Sequence, residues 1–325
     1  MPFLKQWALL GWTDLHAAAA AGDIAKVQRA VQKNSQDLER LSREGQSPLH
    51  LAAANGFDVV VRELLARQAK TTVQDKAGRT PLHLAAAAGH AGCVRELLGR
   101  NNRDSREVKE YLLFQKDKEG NDALMAAVVA GREAAVKELV QVLGEQGVRR
   151  CTDKCGHGPV HVAVELHHVH LLPLLVAATG GPDKERDAAT GATALHTAAR
   201  LGLQPAIDVL LRHGASSTTL DNAGRTASET ALAAGQHAAY RALREAFQPS
   251  TAPVGTGTAA PPPGVSVYDH RLIHTSAEPA ANVAASDPST AGGGTAPPYG
   301  RLQIPAELPP AVLYPKTPEG AGVYF

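Results

Sequence analysis

The sequence carries no nucleophile elbow, no phosphate-binding loop, no dinucleotide fingerprint and no H-E-x-x-H helix. It offers no framework for acyl transfer, nucleotide chemistry or metalloprotease action, so a catalytic role has nothing to stand on. Aromatic residues are only 4% of the chain, too few for the stacked platforms that hold unpaired bases. Lys and Arg (33) nearly balance Asp and Glu (32) for a net charge of +1, which leaves no global field to recruit nucleic acid or an anionic membrane. The three cysteines, Cys93, Cys151 and Cys155, are too sparse for a disulfide framework and fit a reducing compartment. No apolar run approaches the roughly 18 residues of a membrane span. The opening "MPFLKQWALLGWTDLH" has one Lys and no small-residue cleavage site, and reads as structure rather than as a signal peptide. These absences together predict a cytoplasmic protein without membrane insertion, for which cytoskeletal, ciliary and nuclear settings stay open.

What the sequence has in abundance is alanine, 58 of 325 residues, and repetition. "SPLHLAAANGFDVVVRELL" from Ser47, "TPLHLAAAAGHAGCVRELL" from Thr80 and "TALHTAARLGLQPAIDVLL" from Thr193 are three copies of one pattern. Weaker copies start at Thr13, Asp122, Gly158 and Thr226, which gives seven, at intervals of 34, 33, 42, 36, 35 and 33 residues. Within a copy, Ser or Thr is an N-cap and Pro takes the first helical position, where its missing N–H costs nothing. Leu82, Ala85 and Ala86 share one helical face, Gly89 ends the helix, and Val94, Leu97 and Leu98 repeat at helical spacing in a second one. Pro173 and Pro205 fall in the first turn of such a second helix, which tolerates them. Turns precede the copies: "DKAGRT", "DKEGND", "DKCGHG" and "DNAGRT".

The stretch "DKAGRTPLHLAAAAGH" at 75–90 resembles the ankyrin repeat nearly residue for residue, in its T-P-L-H tetrapeptide, its alanine pair and its Gly-His turn. Seven copies in phase over about residues 12–246 extend that resemblance through most of the chain. It implies an all-α fold, an ankyrin-repeat solenoid of stacked helix pairs with turn fingers along one edge, in which each unit is stabilised by its neighbours. Polar intrusions at the ends, Lys26 in the slot of Cys93 and Arg244 in the slot of Leu98, suit the outer faces of such a stack, and Trp7 and Trp12 are placed to lid the first repeat. The repeat domain is expected over 1–247, with an insertion at about 99–115 in which Val108, Tyr111, Leu112 and Phe114 form a short extra helix over the finger edge. From 248 to 325 the chain changes character: 14 of its 21 prolines lie in 249–325, beside eight charged residues, which predicts a disordered or extended tail. Two apolar, aromatic segments within it, 265–274 and 299–325, are candidate docking motifs for additional chains.

The resemblance implies a protein partner held in a concave groove by the variable finger and inner-helix positions. Those positions are Arg43, Glu44, Gln46 and Asn55 in the second copy, Lys76 and Arg79 in the third, and Lys118, Glu119 and Asn121 in the fourth. The fifth offers Lys154, His157 and Glu165, the sixth Thr190 and Arg200, the seventh Asn222 and Arg225. The function so implied is a non-enzymatic scaffold or adaptor, with arginines dominating affinity. A structural subunit of a large cytoskeletal or ciliary assembly, its tail lying along partner chains, and a regulatory subunit of an enzyme are the alternatives. No catalytic residue, metal ligand or cofactor is expected. The run Cys151, Cys155, His157, His161, His167, His168 and His170 has zinc-compatible donors but not zinc spacing, since Cys-x3-Cys has no second pair; a pH-sensitive patch is the softer reading. The finger cations, Arg43, Lys76, Arg79, Lys118, Lys154 and Arg225, are too few and lack interleaved aromatics for a nucleic-acid groove, and suit an acidic protein surface.

Overall fold

A cap, a short helix, a left-handed glycine and a second helix recur down the computed structural model, which describes residues 10–99 and 105–247. Among the described residues there are fifteen α-helices and no strand. The first three repeats are α1 (Asp14–Ala21) with α2 (Ile24–Lys33), α3 (Pro48–Ala54) with α4 (Asp58–Ala66), and α5 (Pro81–Ala88) with α6 (Ala91–Leu98). An inserted helix, α7 (Arg106–Phe114), precedes the fourth pair, α8 (Ala123–Val129) and α9 (Glu133–Arg150). The last three are α10 (Pro159–Glu165) with α11 (Leu172–Thr179), α12 (Ala194–Leu201) with α13 (Gln204–Arg212), and α14 (Ala227–Ala233) with α15 (His237–Phe247). The tail 248–325, with its segments 265–274 and 299–325, lies outside the described residues, as does Trp7.

The histidine of each T-P-L-H motif joins one repeat to the next. The backbone N–H of Thr80 donates to His83 Nδ1 at 3.2 Å, and its hydroxyl lies 2.8 Å from the same nitrogen. A ring nitrogen that receives an N–H carries no hydrogen, so the proton sits on Nε2. Nε2–H in turn donates to Asn121 O, 3.2 Å away in the following repeat. His16, His50, His161 and His196 reach forward in the same way, to Gln46 O, Arg79 O, Ala192 O and Arg225 O at 3.0–3.1 Å. In the seventh repeat Glu229 replaces histidine: it accepts from Thr226 N–H at 2.7 Å and makes no forward bond among the described residues. His in this slot is thus a capping residue with a second arm.

Helices follow the stack in two rows. Inner helices α1, α3, α5, α8, α10, α12 and α14 pack successively on one another, and so do outer helices α2, α4, α6, α9, α11, α13 and α15. Ala52, Ala53, Ala85, Ala86, Ala127, Ala163, Ala198 and Ala199 are fully buried, which lets the inner row approach closely. Leu49, Leu64, Leu82, Leu97, Leu124, Leu139, Leu172 and Leu175 fill the space between rows. Gly89, at φ +87°, ends α5 and turns the chain into α6; a Cβ there would meet Arg132 at 3.0 Å. Pro173 and Pro205 stand in the first turns of α11 and α13. Lys26 and Arg244 are exposed, as end positions require. Cys93 is a fully buried core residue whose thiol burial lifts to about 12, an unreactive packing group.

The middle of the stack departs from the pattern. Met125 stands where histidine would bridge to the fifth repeat, and the junction is made by Lys116 Nζ to Thr152 O (2.8 Å), His168 Nε2 to Val129 O (3.1 Å) and His170 Nε2 to Gly131 O (3.2 Å). His167 takes the left-handed slot that glycine fills elsewhere, at φ +63°. The insertion is helical, as the sequence predicts: Leu112 and Leu113 are buried anchors against the fourth repeat, while Tyr111 is exposed.

Burial favours the neutral form of His16, His50 and His83, so acid works against the stack. Burial pushes His50 down to about 4 and lowers His83 and His16 too. The stability these groups contribute is complete above about pH 6.5 and drains away as pH falls toward their folded values. For His50 that is on the order of 3 kcal/mol. Asp122, lifted by burial to about 6, acts in the opposite sense, losing stability as pH rises from about 4 to 6. Chemical denaturation should show a falling midpoint between pH 7 and 5, a window in which ordinary carboxylates do not titrate, and His50→Asn should flatten that slope. At pH 7, His83→Ala should cost about 1–3 kcal/mol, because it leaves the buried Thr80 N–H without its acceptor and removes one of the two donors to Asn121 O.

Candidate binding surface

Most fingers are built on one aspartate, and the finger at 42–46 on Ser42, whose hydroxyl accepts from Gln46 N–H at 3.1 Å. Asp75 Oδ1 accepts from Ala77 N–H and Arg79 N–H, both at 2.9 Å, and Asp117, Asp153 and Asp221 bind the same two positions of their own fingers at 2.7–3.0 Å. A backbone bond closes the turn, as from Asp75 N–H to Arg79 O at 2.9 Å. Fingers are joined through main chain as well: Arg43 N–H to Leu10 O, Lys76 N–H to Glu44 O and Lys118 N–H to Ala77 O, each 2.9 Å, and Asn222 N–H to Thr190 O, 2.8 Å. With the backbone so occupied, side chains at the tips are left for other contacts.

The sixteen sequence-derived positions differ in what they do. Arg43, Glu44, Lys76, Lys118, Glu119, Lys154, Thr190, Arg200 and Asn222 are exposed. Asn55 is half-buried and donates to Ala20 O (3.4 Å) across the inner row, and Gln46 is half-buried with its backbone tied to Ser42 and His16. Asn121 is 4% exposed, a scaffold residue whose carbonyl receives His83. Two arginines expected to anchor a partner are held within their own fingers. Arg79 Nε and Nη2 lie 3.0 and 2.8 Å from Asp75 Oδ2, and Arg225 Nε and Nη2 lie 3.1 and 2.9 Å from Asp221 Oδ2. Both guanidinium edges pair with a buried carboxylate, so these groups stiffen the finger. The i, i+4 spacing in "DKAGR" and "DNAGR" is the signal for this pairing.

The fifth and sixth repeats bring together a different set. His157 sits between two carboxylates, with Nδ1 3.3 Å from Asp153 Oδ2 and Nε2 3.3 Å from Asp187 Oδ2; Glu165 Oε2 is 3.9 Å from Nδ1. Arg200 approaches Glu165 at 3.9 Å from the next inner helix. Burial pushes the Asp187 carboxyl up, but N–H donors from Thr190 and Ala189, with the His157 ring, outweigh it and hold the group below the usual carboxylate range. Partial burial and the charges of Asp153, Glu165 and Asp187 raise the exposed Cys155 thiol. Beneath this group, Gly158 stands where five other repeats have a hydroxyl cap and the fourth has Asp122. Glu185 from the loop before the sixth repeat takes that place, accepting from Val160 N–H at 3.1 Å and lying 3.8 Å from His161 Nδ1. Sequence reading missed Glu185; the absent hydroxyl at 158 is the available clue.

The Cys/His run between 151 and 170 is dispersed. Cys151 is buried and donates to Gly147 O, His161 reaches Ala192 O, and His168 and His170 reach the fourth repeat. Among the described residues, no three His, Cys, Asp or Glu side chains converge on a metal-binding geometry.

Comparison with known proteins meets this architecture directly. The family profile described as "Ankyrin repeats (3 copies)" matches residues 15–107, 60–149 and 160–251. The B-cell lymphoma 3 protein homolog of Mus musculus is 28% identical over 214 residues, 64% of this chain and 45% of that protein. This chain therefore spans less than half the length of that relative. The crystal structure of the ankyrin repeat domain of Bcl-3, titled a unique member of the IkappaB protein family, is 28% identical with a TM-score of 0.61, covering 72% of this chain and 99% of that one. The human ASB11 ankyrin repeat domain shares the fold at 22% identity and a TM-score of 0.56, covering 73% and 99%.

Glu185→Ala should lower stability by about 1–2 kcal/mol, the usual worth of a helix cap. Gly158→Ser alone should also destabilise, because a Cβ at 158 would collide with Glu185 Oε2. The double variant should recover most of the loss, since the introduced serine then supplies the hydroxyl and no carboxylate blocks it. Urea denaturation of the three variants checks the cycle.

Proposed function

The chain belongs to the ankyrin-repeat family, a fold that mediates protein–protein interaction, and on that premise we propose that it is a non-enzymatic scaffold or adaptor that grips a protein partner along its fingers and inner helices. The observation that carries the reading is the division of labour at the fingers. Backbone groups and buried aspartates are consumed in building and linking the turns, while Arg43, Glu44, Lys76, Lys118, Glu119 and Lys154 are exposed at the tips. A surface spanning several repeats buries about 1,200–2,000 Å² against a partner, the normal size of a specific interface. Among the described residues the polar clusters are structural, as with Asp122 and Cys151, or sit half-exposed on the fingers, as with His157; this supports binding rather than chemistry. The tail 248–325 serves as a tether that docks on additional chains, and the setting is cytoplasmic.

The test is partner capture by full-length protein, by residues 1–247 and by two charge reversals. Glu165→Lys with Arg200→Glu alters the inner row; Lys137→Glu alters the outer helix α9. Loss of the partner with the first and retention with the second is the expected result. Retention with the first and loss with the second would place recognition on the back of the stack and end this reading. Partners lost only on truncation belong to the tail.

A further inference from the structure

Four cations occupy the same position in four successive fingers. Arg43, Lys76, Lys118 and Lys154 each follow the residue that caps the finger, Ser42, Asp75, Asp117 or Asp153. They are in register in space as well as in sequence. A Cβ on Gly11 would meet Arg43 N at 3.2 Å, on Gly45 Lys76 N at 3.1 Å, on Gly78 Lys118 N at 3.1 Å, and on Gly120 Lys154 Cα at 3.1 Å. Each finger's left-handed glycine is thus covered by the next finger's cationic residue, through four junctions, and the long insertion before the fourth repeat does not disturb the row. All four side chains are exposed, and none is in a salt bridge among the described residues. The row ends at the sixth finger, where Ala188 takes the position and Asp187 beneath it faces His157. Two exposed carboxylates, Glu44 and Glu119, stand beside it. The capping aspartates are buried and turned inward onto their own backbones.

The spacing selects a ligand. Helices in contact lie about 8–10 Å apart, so the four charges, separated by three such steps, span about 24–30 Å. A polyproline-II chain rises about 3.1 Å per residue with three residues per turn, so its every third side chain falls on one edge at about 9 Å. A β-strand alternates faces every residue and sends positions i and i+3 to opposite sides. Single-stranded nucleic acid is usually held by aromatic stacking as well as charge, and the finger segments 42–46, 75–79, 117–121 and 153–157 contain no Phe, Tyr or Trp.

We propose that the fingertips of repeats two to five bind an extended, polyproline-II-like acidic segment of a partner protein, with a carboxylate at every third residue, one for each of Arg43, Lys76, Lys118 and Lys154. This rests on the binding reading above and names the chemistry of its partner. The acidic segment lies along the finger edge, and the carboxylates Glu44 and Glu119 set its phase by repelling acids placed between the steps.

The experiment uses full-length protein and fluorescent peptides of about ten residues. One carries Glu at every third position in a Pro- and Ser-containing background; the other has the same composition with its glutamates contiguous. Anisotropy should show the spaced peptide binding several-fold tighter, with affinity falling as salt rises. Each of Arg43→Ala, Lys76→Ala, Lys118→Ala and Lys154→Ala should weaken it about 1.5- to 5-fold, the range of an exposed ion pair. Lys137→Ala, which removes the same charge from an outer helix, should not. Equal affinity for the two peptides, or insensitivity to the four fingertip substitutions, overturns the proposal. So does an oligodeoxythymidine strand that binds tighter than the spaced peptide, which would assign the row to nucleic acid. A partner captured by wild type and lost with the inner-row reversal, yet unaffected by all four fingertip substitutions, would leave the binding reading standing and remove this one.

Discussion

The hydrogen bond from a buried imidazole to the carbonyl of the next repeat is what the rest of the stack depends on. A helix pair of some thirty residues cannot bury its apolar face alone. Alanine faces permit close approach, but apolar contact is not directional and fixes no register. The histidine supplies register because its two nitrogens have different duties: Nδ1 is taken by the cap of its own helix, and Nε2–H has one carbonyl within reach. That carbonyl also closes the following finger, so a single oxygen serves the turn and the junction together. Glu229 in the seventh repeat fits the same logic, keeping the cap while making no forward bond among the described residues.

The fourth and fifth repeats show how the arrangement tolerates the loss of its usual parts. Met125 gives no forward bond, and Gly158 gives no hydroxyl. The substitutes come from neighbouring segments: Lys116 and His170 across one junction, and the Glu185 carboxylate beneath the next. These substitutes bring ionisable side chains to a place where other repeats use neutral groups. Asp153 and Glu185 are buried there, and Asp153 and Asp187 flank the His157 ring.

Most of the architecture was legible because it is periodic. Caps, helix breaks at glycine, prolines in first turns and the inserted helix at Arg106–Phe114 all follow from residue type and spacing, and the family comparison and the fold agree. The state of the candidate finger positions was less legible. Arg79 and Arg225 have the composition of binding anchors, but an aspartate four residues earlier, fixed by the turn, meets the guanidinium within the finger. Asn121 varies between repeats like a contact residue and is nonetheless buried, because its backbone carbonyl is the histidine's acceptor. Glu185 was invisible because its role depends on a contact 25 residues away, at a helix start defined only by what Gly158 lacks.

Fastening fingers to one another through main-chain atoms has a further effect. Amides and carbonyls are common to every amino acid except proline at the donor, so the fastening is indifferent to what stands at the tip. The outermost residues are therefore free to drift without loosening the body that carries them. A new binding preference can be acquired there by single exchanges, each judged on recognition alone, while the pile beneath keeps its shape.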